Sequence, residues 1–177
     1  MTPEELRQCL ENAFGGMEPP FFAELSSSVC FDLGFENAVR MDTARAKRWQ
    51  ELRGLSGYLP DALALFGLTP KACRYYLPAY LYVMTGAESI WCYLSAVLTT
   101  LWYEDDDGEL RFNNPHVRGR WEELTSLLTD RQKRCIAHWL VEVLKITNDP
   151  SIEGHEELNM ESDRIDLMLK KYWNAWL

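Results

Sequence analysis

A proline inside an otherwise helical stretch is the feature that most constrains how this chain can fold. Thr69 and Pro70 are typical of a helix start, because threonine caps the first free N–H groups and proline suits the first helical position. Pro78 follows in the same stretch. It has no N–H to donate, and its ring collides with the preceding turn of a helix. The stretch therefore predicts a helix that is kinked or broken near Pro78.

Helix signals also dominate the rest of the chain. The segments Thr2–Glu5 and Thr129–Gln132 have the composition of capping boxes, and apolar residues follow each of them at helical spacing. Further helices are predicted at 42–52, 61–66, 88–103, 121–128 and 162–176, and residues 154–159 read as a loop. We expect an all-α fold, an irregular bundle of about seven helices with little or no strand.

The composition predicts one packed helical domain over residues 1–177. Of the 177 residues, 47% are hydrophobic and 12% are aromatic, which is too much apolar surface for a disordered chain. The N-terminal Met1–Glu5 is polar and acidic, unlike a secretory signal. The five cysteines are scattered, with no C-x-x-C motif. We therefore expect reduced thiols and a cytoplasmic protein with no membrane segment.

The charge balance indicates the kind of partner. The chain has 27 acidic and 18 basic side chains, a formal net charge of −9. A surface of that sign repels nucleic-acid phosphates and attracts basic proteins. We therefore expect a protein partner and no nucleic acid. The candidate partner-binding residues form one acidic run: Glu104, Asp105, Asp106, Asp107 and Glu109.

Known site motifs do not fit this sequence. If Gly108 took the glycine position of an EF-hand loop, Tyr103 and Asn114 would fall at its two end positions, where neither supplies the required ligand. Cys135 and His138 have the spacing of half a zinc site, but a second ligand pair is missing. P-loop, dinucleotide-binding and nucleophile-elbow motifs are also missing. We predict no catalytic residue, no metal and no cofactor, and hence no enzyme.

A tyrosine cluster surrounds the predicted bend and leaves two interpretations open. Arg74, Tyr75, Tyr76 and Tyr80 either pack in the core or line a pocket. Tyr76 and Tyr80 are four residues apart, so their rings can stack on one helix face. A pocket would instead indicate a small-molecule sensor or an enzyme.

The C-terminal segment is also open to two interpretations. Trp173 and Trp176 close a stretch with apolar residues at helical spacing. These two side chains either pack this last helix onto the rest of the domain or form the interface of a homo-oligomer. The second alternative would make the protein a structural or oligomer-forming subunit.

Residues 68–81 resemble the signature of a small bacterial family of unknown function. They read Leu-Thr-Pro-Lys-Ala-Cys-Arg-Tyr-Tyr-Leu-Pro-Ala-Tyr-Leu, where the family has Leu-Thr-Pro-Glu-Ala-Phe-Arg-Tyr-Tyr-Leu-Pro-Ala-Tyr-Leu. Trp49–Leu52 and residues 127–144 are also similar to the family pattern. The resemblance implies the fold and a bacterial origin, but no site residues. It also implies that residues 146–177 are a C-terminal extension that the family lacks.

These observations together predict a non-enzymatic, acidic binding protein. Its most concrete form is an immunity-type inhibitor of a bacterial toxin, because toxin domains with basic sites are natural partners for an acidic surface. Opposite charge would speed association, and aromatic side chains would supply the residues that contribute most binding energy.

Overall fold

The described part of the chain is helical throughout its regular elements. The computed structural model describes residues 1–20, 48–52, 65, 68–85, 93–103, 115–152 and 155–177. Its helices are α1 (Pro3–Phe14), α2 (Trp49–Leu52), α3 (Pro70–Val83), α4 (Leu94–Leu101), α5 (Pro115–Leu127), α6 (Asp130–Thr147) and α7 (His155–Lys171), followed by a 3₁₀ turn, Trp173–Trp176. No described segment is a β-strand, so the predicted all-α class of about seven helices is confirmed there.

Threonine caps begin three of these helices, as the sequence predicts. Thr2 and Thr129 each form a complete capping box, in which the side chain three positions later accepts a hydrogen bond from the threonine N–H. Thr69 accepts a hydrogen bond of 3.2 Å from the N–H of Ala72 at the start of α3. The caps satisfy N–H groups that have no partner inside the helix.

Pro78 lies inside α3, which continues past it to Val83. The helix therefore does not end at the proline, although Pro78 removes one backbone donor. The continuation is stabilised by packing, since α3 is buried around most of its circumference. Side chains outside α3 also stabilise its last turn. The carbonyl oxygen of Leu81 accepts hydrogen bonds from Thr85 Oγ1 at 2.7 Å and from Trp139 Nε1 at 3.0 Å.

Two helices begin earlier than predicted. Helix α5 begins at Pro115, and proline is favourable at a first helical position. Helix α7 begins at His155, so the prediction of a loop over 154–159 is wrong for residues 155–159, and residue 154 lies outside the described residues. The chain leaves α7 at Lys171, where the predicted single closing helix gives way to the 3₁₀ turn.

Helix α6 is the centre of the packing. It contacts α1, α7 and the 3₁₀ turn, whereas α3 contacts α1, α2 and α5. Fully buried side chains come from both ends of the chain and include Leu6, Phe14, Trp49, Tyr80, Trp139, Ile165 and Trp173. Residues of the predicted extension 146–177 thus share one core with α1 and α3. None of the described helices is both long and apolar enough to cross a membrane.

Candidate protein-binding surface

The predicted acidic contact residues, Glu104–Asp107 and Glu109, lie outside the described residues. Acidic and basic side chains nearly balance in the described part of the chain. Most of the net charge of −9 therefore belongs to the remaining segments, and the acidic run is the densest of these. Its neighbour in the chain, Tyr103, is described. The surroundings of Tyr103 therefore show what the acidic run is attached to.

Tyr103 belongs to a cluster of six aromatic side chains from three parts of the chain. We call it the aromatic cluster, and its members are Trp102, Tyr103, Trp121, Tyr172, Trp173 and Trp176. Trp121 of α5 is at its centre, with ring centroids 5.3 Å from Trp102, 4.9 Å from Tyr103 and 4.9 Å from Tyr172. Most of these contacts are edge-to-face or tilted, which are the favoured geometries of aromatic pairs.

A hydrogen bond fixes the central ring. Trp121 Nε1 donates to the carbonyl oxygen of Leu101 at 2.8 Å. Leu101 is the last residue of α4, so its carbonyl has no acceptor role inside that helix. The bond joins the end of α4 to α5 and places Trp102 and Tyr103 against Trp121.

The aromatic cluster has a buried floor and a surface side. Trp102 and Trp173 are buried, whereas Tyr103, Trp121, Tyr172 and Trp176 are half-buried. The four half-buried rings combine fixed positions with accessible faces. That combination is typical of the side chains that anchor a protein partner.

Cations already lie against two of the half-buried rings. The Arg118 guanidinium is 5.6 Å from the ring centroid of Tyr103, and Lys133 Nζ is 4.4 Å from that of Trp176. Ring faces attract cations through their quadrupole. The aromatic cluster therefore has the chemistry needed to bind lysine and arginine side chains.

The predicted tyrosine cluster lies within the core. Tyr75, Tyr76 and Tyr80 are buried, and the rings of Tyr75 and Tyr76 meet edge to face at 4.9 Å. Burial raises the pKa of Tyr75 and lowers that of Arg74. The Arg74 guanidinium donates from Nε to Gln132 Oε1 at 3.0 Å. These positions agree with the interpretation as core residues, and a pocket at this bend stays a prediction.

A cavity of about 200 Å³ lies elsewhere, between the start of α1, the end of α3 and the second half of α6. Its polar part is the N-terminal ammonium group, which donates to Glu142 Oε1 at 2.9 Å, and Lys145 Nζ, which donates to the same oxygen at 2.8 Å. The rest of the lining is mainly apolar and includes Pro3, Leu6, Met84, Trp139, Val143 and Ile146. Among the described residues, no group of three His, Cys, Asp or Glu side chains could hold a metal ion.

The sequence did not predict the aromatic cluster as a unit. Trp173 and Trp176 were interpreted only as a terminal pair, and Trp121 as the start of a helix. The one available signal was the abundance of aromatic residues, which shows neither which rings meet nor where.

The chain was compared with protein-family models, curated proteins and solved structures, and none of them matched. The resemblance of residues 68–81 to a bacterial family therefore stays a prediction.

Proposed function

We propose that the protein is a non-enzymatic, cytoplasmic binding protein for a basic protein domain. In its most concrete form it is an immunity-type inhibitor of a bacterial toxin. The observation that carries the proposal is that Tyr103, a half-buried member of the aromatic cluster, directly precedes the acidic run 104–109 in the chain.

The acidic run and the aromatic cluster would contribute differently to binding. The acidic run attracts a basic partner over a distance and raises the association rate. The half-buried rings would then be covered by the partner, and burial of large aromatic side chains dominates the energy of many interfaces. Because the rings are held by contacts with one another, little side-chain entropy is lost when a partner covers them.

The cation–π contacts specify the chemistry of the partner. Arg118 lies over the ring of Tyr103 and Lys133 over the ring of Trp176, so rings of the aromatic cluster already bind cations of both kinds. A partner that presents arginine or lysine side chains would meet ring faces and carboxylates together. Toxin domains that bind phosphates or nucleic acids have such basic sites.

Growth rescue would test the proposal. A basic toxin domain, sought among the products of the neighbouring genes, is induced in a bacterial host with or without this chain. Wild-type chain should restore growth, and purified chain and toxin should bind with an association rate that falls steeply as salt rises. Failure of the wild-type chain to rescue growth or to bind would contradict the proposal.

Two variants with the same change in charge test which surface contacts the partner. Asp106→Lys and Glu4→Lys change the net charge equally, but Glu4 lies on α1, away from the aromatic cluster. Asp106→Lys should slow association roughly tenfold, whereas Glu4→Lys should change it far less. Tyr103→Ala should mainly raise the dissociation rate, because it removes a buried anchor. Equal effects of the two charge variants would place the contact elsewhere.

Self-association through the same rings is the alternative outcome. Light scattering of the wild-type chain and of Trp176→Ala separates the two. A wild-type oligomer that Trp176→Ala converts into monomer would show that the aromatic cluster is an oligomer seam. It would also remove the argument for a toxin partner at this surface.

A further inference from the structure

Two hydrogen bonds show how α1 and α6 are aligned. Gln132 Nε2 donates to the carbonyl oxygen of Ala13 at 3.1 Å, and the N-terminal ammonium group of Met1 donates to Glu142 Oε1 at 2.9 Å. The end of α1 therefore meets the start of α6, and the start of α1 meets the later part of α6. The two helices are antiparallel.

This alignment brings two cysteines to the same level. From Ala13 back to Cys9 is about 6 Å along α1, and from Gln132 forward to Cys135 is about 4.5 Å along α6. Cys9 and Cys135 therefore lie on facing sides of these two packed helices, close enough for a hydrogen bond from the Cys135 thiol to Cys9. Nothing in the spacing of the cysteines along the sequence indicates this pair.

The two thiols differ in exposure and in proton affinity. Cys9 is half-buried and Cys135 is buried. The hydrogen bond from Cys135 is the main reason that the pKa of Cys9 falls to about 7, with a further contribution from Arg131 that burial opposes. The same bond, together with burial, raises the pKa of Cys135. Cys9, the more exposed of the two, is therefore the thiol that loses its proton more readily.

We propose that Cys9 and Cys135 form a redox pair in which a hydroperoxide oxidises Cys9 and Cys135 then closes a disulfide between α1 and α6. This proposal is independent of the proposed binding function. It needs one reagent from outside the protein, a hydroperoxide such as hydrogen peroxide.

The chemistry balances in two steps. The Cys9 thiolate attacks one peroxide oxygen, the O–O bond breaks, and hydroxide leaves, so that Cys9 becomes a sulfenic acid. The Cys135 sulfur then attacks the Cys9 sulfur, the S–O bond breaks, and the hydroxyl group leaves as water with the Cys135 proton. Two thiols are oxidised by two electrons in total, and one peroxide is reduced to one hydroxide and one water. The hydroxide takes up the proton that Cys9 lost when it ionised, which gives the second water.

The helix packing suits a disulfide at this position. Packed helices have axes about 8–10 Å apart, and each Cα atom lies about 2.3 Å from its axis. Facing Cα atoms on neighbouring helices therefore approach the separation of about 4.4–6.8 Å that a disulfide spans. The shared level of Cys9 and Cys135 on two packed helices therefore suits a disulfide between them.

Peptide mapping tests the proposal on the wild-type protein. The chain is treated with hydrogen peroxide, its remaining thiols are alkylated, and a digest is analysed by mass spectrometry. We expect a linked peptide pair that contains Cys9 and Cys135, lost again on treatment with a dithiol. Cys73, which is fully buried on α3, serves as the internal control and should stay reduced.

A variant without the resolving thiol provides a second test of the proposal. Cys135→Ala removes the resolving thiol, so Cys9 should accumulate as sulfenic acid that dimedone traps at least fivefold more than in wild type. Circular dichroism would confirm that the variant is folded. The absence of a Cys9–Cys135 peptide in oxidised wild type would overturn the proposal. Equal trapping of Cys9 in wild type and Cys135→Ala would do the same.

Discussion

The Arg74 guanidinium donates a hydrogen bond of 3.0 Å from Nε to the side-chain oxygen of Gln132. The same oxygen accepts the backbone N–H of Thr129 at 3.1 Å, and the amide nitrogen of Gln132 donates to the carbonyl oxygen of Ala13 at 3.1 Å. Gln132 is 2% exposed. One buried amide thus completes the capping box of α6 and also joins α6 to α1 and α3.

Replacing this amide should therefore destabilise the fold more than the loss of a helix cap. We expect Gln132→Ala to lower the free energy of unfolding by about 2–3 kcal/mol, because Ala13 and Arg74 both lose their partner inside the protein. Urea unfolding measures the change. Gln8→Ala is the matched control, since Gln8 is exposed on α1 and bonds only to Asn12 at 3.4 Å. Equal losses in the two variants would show that the amide network contributes nothing.

Two side chains, Trp139 and Thr85, donate to Leu81 at the end of α3. Of the two, Trp139 should contribute more to stability. Its ring is fully buried, and its indole nitrogen donates to Leu81. We expect Trp139→Ala to cost about 3–5 kcal/mol, mainly through the cavity it leaves. Trp139→Phe should cost about 1–2 kcal/mol, because most of the volume remains and Thr85 still donates to Leu81. Thermal unfolding followed by circular dichroism distinguishes the two, and identical costs would argue against a volume effect.

Stability should depend on the protonation of Glu142. Burial alone would raise the pKa of this carboxyl, but hydrogen bonds from Lys145 and the N-terminal ammonium group outweigh it and lower the pKa below the ordinary value of 4.5. A lowered pKa in the folded state stabilises the protein above the unfolded value, and this contribution is lost as pH falls through the folded value. Glu142→Gln should therefore be less stable than wild type near pH 7, and the gap should close below about pH 4.

A second variant checks the cause of that pH dependence. Lys145→Met removes one of the two donors to Glu142 and should reduce the gap between wild type and Glu142→Gln. The measurement is the urea midpoint of each variant between pH 3 and 7. A gap that widens as the pH falls would contradict the assignment.

The contribution of Arg120 to stability should come from the geometry of its hydrogen bonds rather than from its charge. Its Nη2 atom donates to the carbonyl oxygens of Leu65 at 2.5 Å and Leu68 at 3.1 Å, and so ties the chain before α3 to α5. Arg120→Lys keeps the charge but should cost about 1–2 kcal/mol, since a lysine ammonium does not reproduce this geometry. Arg118→Lys is the control on the same helix, because the exposed Arg118 pairs with Glu122 across one turn and lies over the ring of Tyr103, two contacts that a lysine can also make. If both variants unfold at the same denaturant concentration, the hydrogen bonds of Arg120 do not contribute to stability.

The sequence predicted the features that depend on near neighbours in the chain. The caps at Thr2, Thr69 and Thr129 were all predicted, because each joins a side chain to an N–H group three residues later. The all-α class followed from the same local signals. The starts of α5 and α7 were exceptions, because the prediction began these helices only at Trp121 and Ser162.

Only the tertiary structure decided which distant residues meet. Gln132 and Ala13 are 119 positions apart, and no local pattern indicates that one amide caps α6 and binds α1. The same holds for the Cys9–Cys135 pair and for the rings that gather around Trp121. The physical reason is that hydrophobic burial is non-directional. The sequence determines which helix faces are apolar, but partners and register are set by how whole side chains fit when the helices pack.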